Sequence, residues 1–393
     1  MSGDSAAPDT APRPAAAWSA SEIEYMQHAL GLAALGLNTT DPNPRVGCVL
    51  VRGGKIVGEG WHERAGRAHA EVAALQSAGE LARGASAFVT LEPCAASGRT
   101  PPCTEALLAA GVVRVVYAGA DPHPHMQGGG ELLRRAGVQV ASGLLAGPAR
   151  DLNLGFYSRF ERARPWLRLK LGVSLDGRTG LADGESRWVT AKPARTDAQW
   201  FRARSSAVLT GIGTVLRDDP ALNVRLDGAT RQPLRVVLDS ALRAPPSARM
   251  FEREGPALIF ASEPAVEHTG AADWRARRAQ FEARGVRVEC VAAASGGGLE
   301  LRAVLNRLAQ LEVNELWVEA GARLAGSLLA QELVDELVLY VAPCLLGPQA
   351  LPLALIPDLS SLDSRLRFSY HDISRTGEDL RIVLRPAPQP AHP

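Results

Sequence analysis

One histidine and two cysteines, His69, Cys94 and Cys103, constrain this chain more than any other feature. Imidazole nitrogen and thiolate sulfur are zinc donors, and three protein ligands leave a fourth tetrahedral position for water. To use these residues together, the fold must bring three segments to one point: His69-Ala70-Glu71, Pro93-Cys94 at the end of an apolar run, and Cys103. Glu71 lies two residues beyond the histidine, too close for both side chains to be easy ligands, yet placed to exchange protons with a bound water. Taken singly the pieces are ordinary. His-Ala-Glu also marks a helix start with a solvated acid, and two nearby cysteines are also found as inert buried thiols.

Together they match the signature of zinc-dependent nucleobase deaminases, in which zinc-activated water attacks an amino-bearing ring carbon and a glutamate shuttles protons. The second cysteine departs from the usual Cys-x-x-Cys spacing. The intervening Ala95-Ala96-Ser97-Gly98-Arg99-Thr100-Pro101-Pro102 is a polar, turn-rich loop able to fold over a substrate.

A chain of 393 residues exceeds the size at which one core keeps growing, so two or more domains are expected. A formal charge of +1 and 5% aromatics supply neither the basic surface nor the stacking platforms of a nucleic-acid binder, so the expected partner is a small molecule. Five cysteines are an odd and sparse set, unlike a disulfide framework, and a thiolate–zinc site suits a reducing compartment; a cytoplasmic location follows. No apolar run approaches the length of a membrane span, so no membrane partner is expected. Residues 1–18 mix Pro, Asp and Ala as a disordered tail, without the basic start and apolar block of a signal peptide.

Ser21 and Glu24 have capping-box spacing, and Ile23, Met26, Leu30, Ala33, Ala34 and Leu37 recur at helical intervals, which predicts an amphipathic helix over 21–37. The stiff loop Asp41-Pro42-Asn43-Pro44 follows. Apolar runs at 46–51 and 55–60, joined across Gly53-Gly54, predict a hairpin. His69 opens the next helix, residues 86–91 form a buried strand that delivers Cys94, and Cys103 starts a further helix to 110. Two helix N-termini thereby turn their positive ends toward the thiolates. Strands at 112–118 and 138–142 around a helix over 128–136 complete an α/β domain at 19–147. A helical stretch over 144–164 stops at Pro165, and its 148–164 part is the expected connector between domains.

The second domain, 165–386, alternates strands and helices again. Strands are predicted at 166–174, 207–210, 234–239, 257–261, 286–291, 315–319, 337–342, 368–371 and 380–384, with a helix over 193–204 and a Pro-rich tail at 387–393. Leu209-Thr210-Gly211-Ile212-Gly213-Thr214 and Trp317-Val318-Glu319-Ala320-Gly321-Ala322 are strand-to-helix turns whose backbone N–H groups could face a pyrophosphate. Neither is a full dinucleotide fingerprint, and Glu319 reads equally as a solvated charge or a site acid.

Beyond these local readings, the chain resembles the bifunctional riboflavin-biosynthesis deaminase/reductase family from about residue 21 to 386. In the first half the resemblance is carried by Asp41-Pro42-Asn43-Pro44-Arg45-Val46-Gly47, His69-Ala70-Glu71-Val72, Leu91-Glu92-Pro93-Cys94 and Gly98-Arg99-Thr100-Pro101-Pro102-Cys103. In the second half it is carried by Lys170-Leu171-Gly172-Val173-Ser174-Leu175-Asp176-Gly177-Arg178, Gly184-Glu185-Ser186-Arg187-Trp188-Val189-Thr190, Gly211-Ile212-Gly213-Thr214, Asp218-Asp219-Pro220-Ala221-Leu222 and Val318-Glu319-Ala320-Gly321. The resemblance implies an α/β fold of two parts: a cytidine-deaminase-like three-layer domain, then a dihydrofolate-reductase-like α/β domain. It implies zinc-dependent loss of an amino group from a phosphoribosylated pyrimidine, then reduction of the ribosyl to a ribityl chain by NADPH.

By residue, the resemblance puts His69, Cys94 and Cys103 on Zn2+, makes Glu71 the catalytic proton carrier, and sets Asn43 against the pyrimidine. It assigns NADPH to Gly172, Trp188, Thr214, Asp218, Ser240 and the run Gly321, Ala322, Arg323, Leu324, Ala325, Gly326, Ser327. It assigns the second substrate to Lys170, Ser186, Arg202, Leu222, Arg225 and Glu319, with Lys170 also the polar helper for hydride transfer to the sugar C1. A homodimer through the second domain fits the resemblance. The choice of NADPH over NADH rests on it alone, since no single arginine of the sequence must bind a 2′-phosphate.

Two stretches depart from the family pattern. Ala95-Ala96-Ser97 stands where Ser-His-His is usual, and Asp121-Pro122-His123-Pro124 has His123 where Asn is usual, with His125 close behind. Both bear on deamination efficiency or substrate preference. Two other readings compete. A deaminase of RNA or DNA bases shares the zinc chemistry but lacks a basic surface here. A structural zinc with a regulatory second half needs four protein ligands, for which His62 would be the fourth.

Overall fold

The computed structural model describes residues 18–97, 101–264 and 270–387. Contacts divide the chain into two compact units, Met1–Glu161 and Arg162–Pro393. The expected tails fall almost wholly on residues outside the described set, as does the Gly98-Arg99-Thr100 part of the loop before Cys103.

The first unit runs α1 (Ala20–Leu35), β1 (Gly47–Arg52), β2 (Lys55–Trp61), α2 (Ala70–Ala78), β3 (Ser86–Leu91), α3 (Cys103–Ala109), β4 (Arg114–Gly119), α4 (Gly129–Arg135), β5 (Gln139–Ser142), α5 (Ala146–Leu152) and α6 (Leu154–Arg162). Its sheet has the order β2-β1-β3-β4-β5, with β1 antiparallel to β2 and β3, and β3, β4 and β5 parallel. Parallel strands need helical crossovers, which cover both faces and bury β3 from Ala87 to Leu91. One face holds α1 and α5, with Met26, Ala29 and Ala149 packed on Val49, Phe88 and Val116. The other holds α2, α3, α4 and α6, with Ala74, Leu107, Leu133 and Phe156 on Leu50, Val89 and Val115.

Two local expectations are corrected. The capping box of α1 is formed by Ser19 and Glu22, not by Ser21 and Glu24. Ser19 Oγ accepts the Glu22 N–H at 3.2 Å, and Glu22 Oε2 accepts the Ser19 N–H at 2.9 Å. Both pairs satisfy the spacing rule, and Glu22 is favoured because its carboxylate also pairs with Arg114 of β4. The single helix over 144–164 is two helices parted at Asn153. The Asn153 amide accepts the Arg45 N–H at 2.8 Å and donates to the Arg45 carbonyl at 2.9 Å, while Arg45 Nη1 donates to the Leu152 carbonyl at 2.8 Å. A clamp between residues 108 apart in sequence outcompetes helical continuity.

The second unit runs β6 (Trp166–Ser174), β7 (Arg178–Gly180), α7 (Lys192–Arg204), β8 (Ala207–Gly211), α8 (Ile212–Asp218), β9 (Leu234–Leu238), α9 (Arg249–Glu252), β10 (Ala257–Ala261), α10 (Ala271–Ala283), β11 (Arg287–Cys290), α11 (Leu301–Gln310), β12 (Glu315–Glu319), α12 (Ala322–Ala330), β13 (Glu336–Ala342), β14 (Leu351–Pro352), β15 (Phe368–Thr376) and β16 (Asp379–Pro386). Nine strands form one sheet in the order β11-β10-β9-β8-β12-β6-β13-β16-β15, parallel from β11 to β13 and closed by the antiparallel β16 and β15. Leu305, Leu308 and Leu328 of α11 and α12 pack on Leu169, Leu171 and Val318. Ala194, Ala198, Trp274 and Phe281 of α7 and α10 pack on the opposite face, against Val208, Ile259, Trp317 and Tyr340. Helices α10 and α11 and the small β7–β14 pair occupy stretches for which the sequence predicts no element.

Candidate functional site

The first unit brings its three zinc-type donors together at the ends of three elements. His69 is the N-cap of α2, in extended conformation and without a side-chain capping bond, so its imidazole is free to turn away from the helix. Cys94 follows the buried strand β3, and Cys103 is the first residue of α3, whose N–H donates to Cys94 Sγ at 3.2 Å. Ligand atoms at zinc bond lengths in a tetrahedron lie about 3.6 Å apart. Here His69 Nδ1 is 3.1 Å from Cys103 Sγ and 3.7 Å from Cys94 Sγ, and the three donor atoms all lie within 4.8 Å of one another. The donor set and its spacing fit zinc.

The charges around the site fit it as well. The hydrogen bond from Cys103 holds the Cys94 thiol low, while the Cys103 thiol is pushed up by the same bond, so the pair shares one proton. Glu71, 3% exposed in the first turn of α2, is pushed by burial up to about 7, against the pulls of its own backbone N–H and His69. A carboxyl poised near neutrality is suited to both accepting and giving a proton.

His62 does not join the donor group. Its Nδ1 donates to the Ala68 carbonyl at 2.9 Å, and its Nε2 therefore accepts from Asn43 Nδ2 at 3.0 Å. Burial lowers the His62 pKa, keeping the ring neutral in that role. Asn43 is thus oriented with its amide nitrogen committed, on a loop held by Arg45, whose guanidinium donates to the Leu37 and Leu152 carbonyls.

Glu92 is a supporting residue that motif reading did not single out. Its carboxylate accepts the Gly130 N–H at 2.9 Å and the Asp121 N–H at 3.2 Å, which ties the end of β3 to α4 and to the loop at 121–127. Burial pushes the Asp121 carboxyl up to about 6, and one of its oxygens accepts the His123 N–H at 2.8 Å. That loop also reaches the segment after Cys94, where the Ala95 N–H donates to the Met126 carbonyl at 2.9 Å. Gly129 is required here, since a Cβ would sit 1.8 Å from the Pro93 carbonyl oxygen. His123 lies against Phe160, ring centres 4.5 Å apart.

In the second unit, strand register sets Lys170 beside Glu319 and Gly172 beside Tyr340. Arg202 of α7 grips Glu319 at two points, Nε to Oε1 at 2.6 Å and Nη2 to Oε2 at 2.9 Å, and Trp317 Nε1 donates to Oε1 at 2.9 Å. Burial pushes the Glu319 carboxyl up, but Arg202, Lys170 and the Trp317 N–H together hold it at about 2. Arg225 lies nearby, its N–H donating to Gln199 Oε1 at 3.0 Å. Leu222, expected at the substrate, is instead 1% exposed and packs in the core with Val208 and Leu242, because its apolar side chain is better satisfied there.

The residues assigned to NADPH separate into two groups. Gly321 precedes α12, which begins without a side-chain cap, leaving first-turn N–H groups at Ala322, Arg323 and Leu324 for a phosphate. A Cβ on Gly321 would lie 4.0 Å from Thr214 Oγ1, so these two turns meet. Ala325 and Gly326, by contrast, are buried, and Gly326 backs onto the Leu355 carbonyl. The Ser327 hydroxyl donates to the Arg323 carbonyl at 3.1 Å. Ser240 follows β9, its carbonyl accepting the Ser262 N–H at 3.0 Å, and Trp188 is 67% exposed beside Arg195. Ser186 is partly buried, and the Asp218 carbonyl accepts from Arg187. An uncapped helix start facing a small-residue turn is a cradle that fits a dinucleotide phosphate.

Comparison with known proteins agrees with both halves. The family model described as the cytidine and deoxycytidylate deaminase zinc-binding region matches residues 19–119, and that of the RibD C-terminal domain matches 165–382. Riboflavin biosynthesis protein RibD of Escherichia coli is 46% identical, covering 92% of this chain and 98% of the relative, and that of Haemophilus influenzae is 43% identical, covering 94% and 98%. The solved structure of Acinetobacter baumannii RibD, form 1, superposes with a TM-score of 0.85 at 40% identity, covering 94% of this chain and 99% of that one. A Thermotoga maritima structure described as a diaminohydroxyphosphoribosylaminopyrimidine deaminase/5-amino-6-(5-phosphoribosylamino)uracil reductase has a TM-score of 0.80 at 29% identity, covering 93% and 99%. The chain belongs to the RibD family, bifunctional enzymes of riboflavin biosynthesis that join a zinc-dependent deaminase domain to an NADPH-dependent reductase domain.

Proposed function

We propose that this chain converts 2,5-diamino-6-(5-phosphoribosylamino)pyrimidin-4(3H)-one to 5-amino-6-(5-phosphoribosylamino)uracil, and then reduces the ribosyl group to a ribityl chain. The observation that carries the first step is the convergence of His69, Cys94 and Cys103 beside the buried Glu71. His69, Cys94 and Cys103 would hold zinc, which when bound supplies the Lewis acidity that makes water a nucleophile near neutral pH. Asn43, its amide nitrogen committed to His62, turns its carbonyl oxygen to the pyrimidine edge as an acceptor. A Glu71 carboxylate oxygen takes the proton of the attacking water, passes it to the ring nitrogen, and carries a second proton to the departing amino group, which leaves as ammonia.

For the second step, NADPH supplies the hydride when bound. The first turn of α12, with Thr214, Gly172, Trp188, Asp218 and Ser240, forms its cradle. Arg202, Arg225, Ser186 and Glu319 orient the sugar phosphate, and Lys170 holds a proton at Nζ for the sugar oxygen as C1 is reduced. A homodimer through the second domain accompanies this reading, and the sparse unpaired cysteines support a cytoplasmic site of action.

A paired assay on zinc-loaded protein with the diaminopyrimidinone tests it, following ammonia release and NADPH oxidation separately. Ammonia followed by NADPH consumption supports both steps. NADPH consumption with pre-deaminated substrate alone, without ammonia release, would show that Ala95-Ala96-Ser97 has cost the first activity, leaving a reductase. That second reading is favoured by the absence of imidazoles from this segment.

A further inference from the structure

Lys170 extends from the face of the sheet that also carries Trp317, Glu319 and Tyr340, under α7. Burial works against its ammonium, Glu319 supports it, and Arg202 and Arg195 repel it. Glu319 gives only partial support, because Arg202 Nε and Trp317 Nε1 already occupy Oε1 and Arg202 Nη2 occupies Oε2. Lys170 Nζ lies 5.7 Å from the centre of the Tyr340 ring. Nζ also lies over Gly172, where a Cβ would stand 3.8 Å from it, in van der Waals contact, and 3.2 Å from Thr190 Cγ2.

The ring is itself anchored. Tyr340 is fully buried, and its hydroxyl donates to Asp197 Oδ2 at 2.6 Å. Arg381 Nη1 lies 3.1 Å from both Asp197 oxygens, and its Nη2 lies 3.0 Å from Asp372 Oδ2. A phenol that donates to a carboxylate gains electron density on its ring face, which strengthens its attraction for a cation. We propose that Tyr340 is a positioning residue for the reduction: its ring, anchored through Asp197 and Arg381, holds the Lys170 ammonium over the bare Cα of Gly172. The proposal rests on the reading of Lys170 as a group of the reductase cleft.

The test uses full-length, zinc-loaded Tyr340→Leu, Tyr340→Phe, Asp197→Asn and Lys170→Ala, assayed for NADPH oxidation with pre-deaminated substrate and for ammonia release with the diaminopyrimidinone. Tyr340→Leu should lower the reductase kcat by about tenfold, with KM for NADPH within about threefold of the parent. Tyr340→Phe, which keeps the ring but loses its anchor, should lower kcat by about threefold, and Asp197→Asn, which weakens that anchor, should lie measurably below the parent and no lower than Tyr340→Phe. Ammonia release should be unchanged throughout. A parental kcat in a folded Tyr340→Leu, or an equal loss in the Phe and Leu variants, overturns the proposal. Should Tyr340→Leu fail to fold, a parental kcat in Asp197→Asn overturns it. Retained reduction in Lys170→Ala sinks the reading of Lys170 itself, whereas its loss beside a normal Tyr340→Leu sinks the role of the ring alone.

Discussion

His69, Cys94 and Cys103 gather an imidazole and two thiols that share a proton a metal can displace, whereas Glu319 and Arg202 in the second unit close on each other at two points. The first arrangement leaves its donors to be satisfied by a cation. The second already pairs its one carboxylate with Arg202 and sets Lys170 and Arg225 beside it, a surplus of positive charge that suits a phosphate-bearing ligand. One chain thus holds one site whose donors are left for a cation and another whose carboxylate already has its cationic partners.

The largest expected effect breaks the first site alone. Cys103→Ser should abolish stoichiometric zinc binding and ammonia release while NADPH oxidation with pre-deaminated substrate persists, and metal analysis beside the two assays checks this. In the parent, zinc affinity should weaken as pH falls, by about tenfold per pH unit for each proton displaced. A pH-independent affinity would contradict the shared-proton picture.

Glu71→Gln should keep zinc but lower deamination by a factor of about 10² or more, leaving reduction intact. Lys170→Ala should do the reverse, and zinc loss in that variant would mean that the two sites are not independent.

A smaller effect sharpens the comparison through pH. Glu319 has a folded pKa of about 2 against an ordinary 4.5, so its contribution to stability is complete above pH 4.5 and is lost as pH falls through the folded value. The parent should therefore lose stability between pH 4.5 and 2, and Glu319→Gln should flatten that part of the profile, measured by denaturant unfolding. Arg202→Leu, which leaves the carboxylate without its main partner, should cost about 3 kcal/mol at neutral pH.

The smallest effect belongs to the scaffold of the metal centre. Glu92→Gln removes an acceptor oxygen from the Gly130 and Asp121 N–H groups and should cost about 1–2 kcal/mol. It should shift deamination modestly and leave reduction unchanged.

The legibility of these regions in the sequence follows the range of the forces that build them. Strands β3, β6 and β10 begin and end where the apolar runs predict, because central strands buried on both faces have few ways to read otherwise. The zinc donors were visible because each sits at an element boundary with a distinctive residue type. The break at Asn153 was hidden, since a helix-compatible stretch is interrupted by an amide clamp on Arg45 far away in sequence. The choice of Ser19 over Ser21 was hidden too, since the local spacing is the same for both and Arg114 decides it.

The sequence by itself determined the donor types, the placing of Glu71 two residues beyond His69, and the succession of strands and helices, because periodicity and ligand chemistry act over a few residues. Tertiary structure decided which polar groups are satisfied by which. Arg168 in the middle of an apolar strand is tolerable only because β12 and β13 bring Glu315 and Glu336 to it. His62 became a support for Asn43, and Tyr340 a face for Lys170, through strand and loop neighbours that no local pattern specifies. A buried polar group must find a partner wherever the fold supplies one, and that pairing is a property of strand order and register.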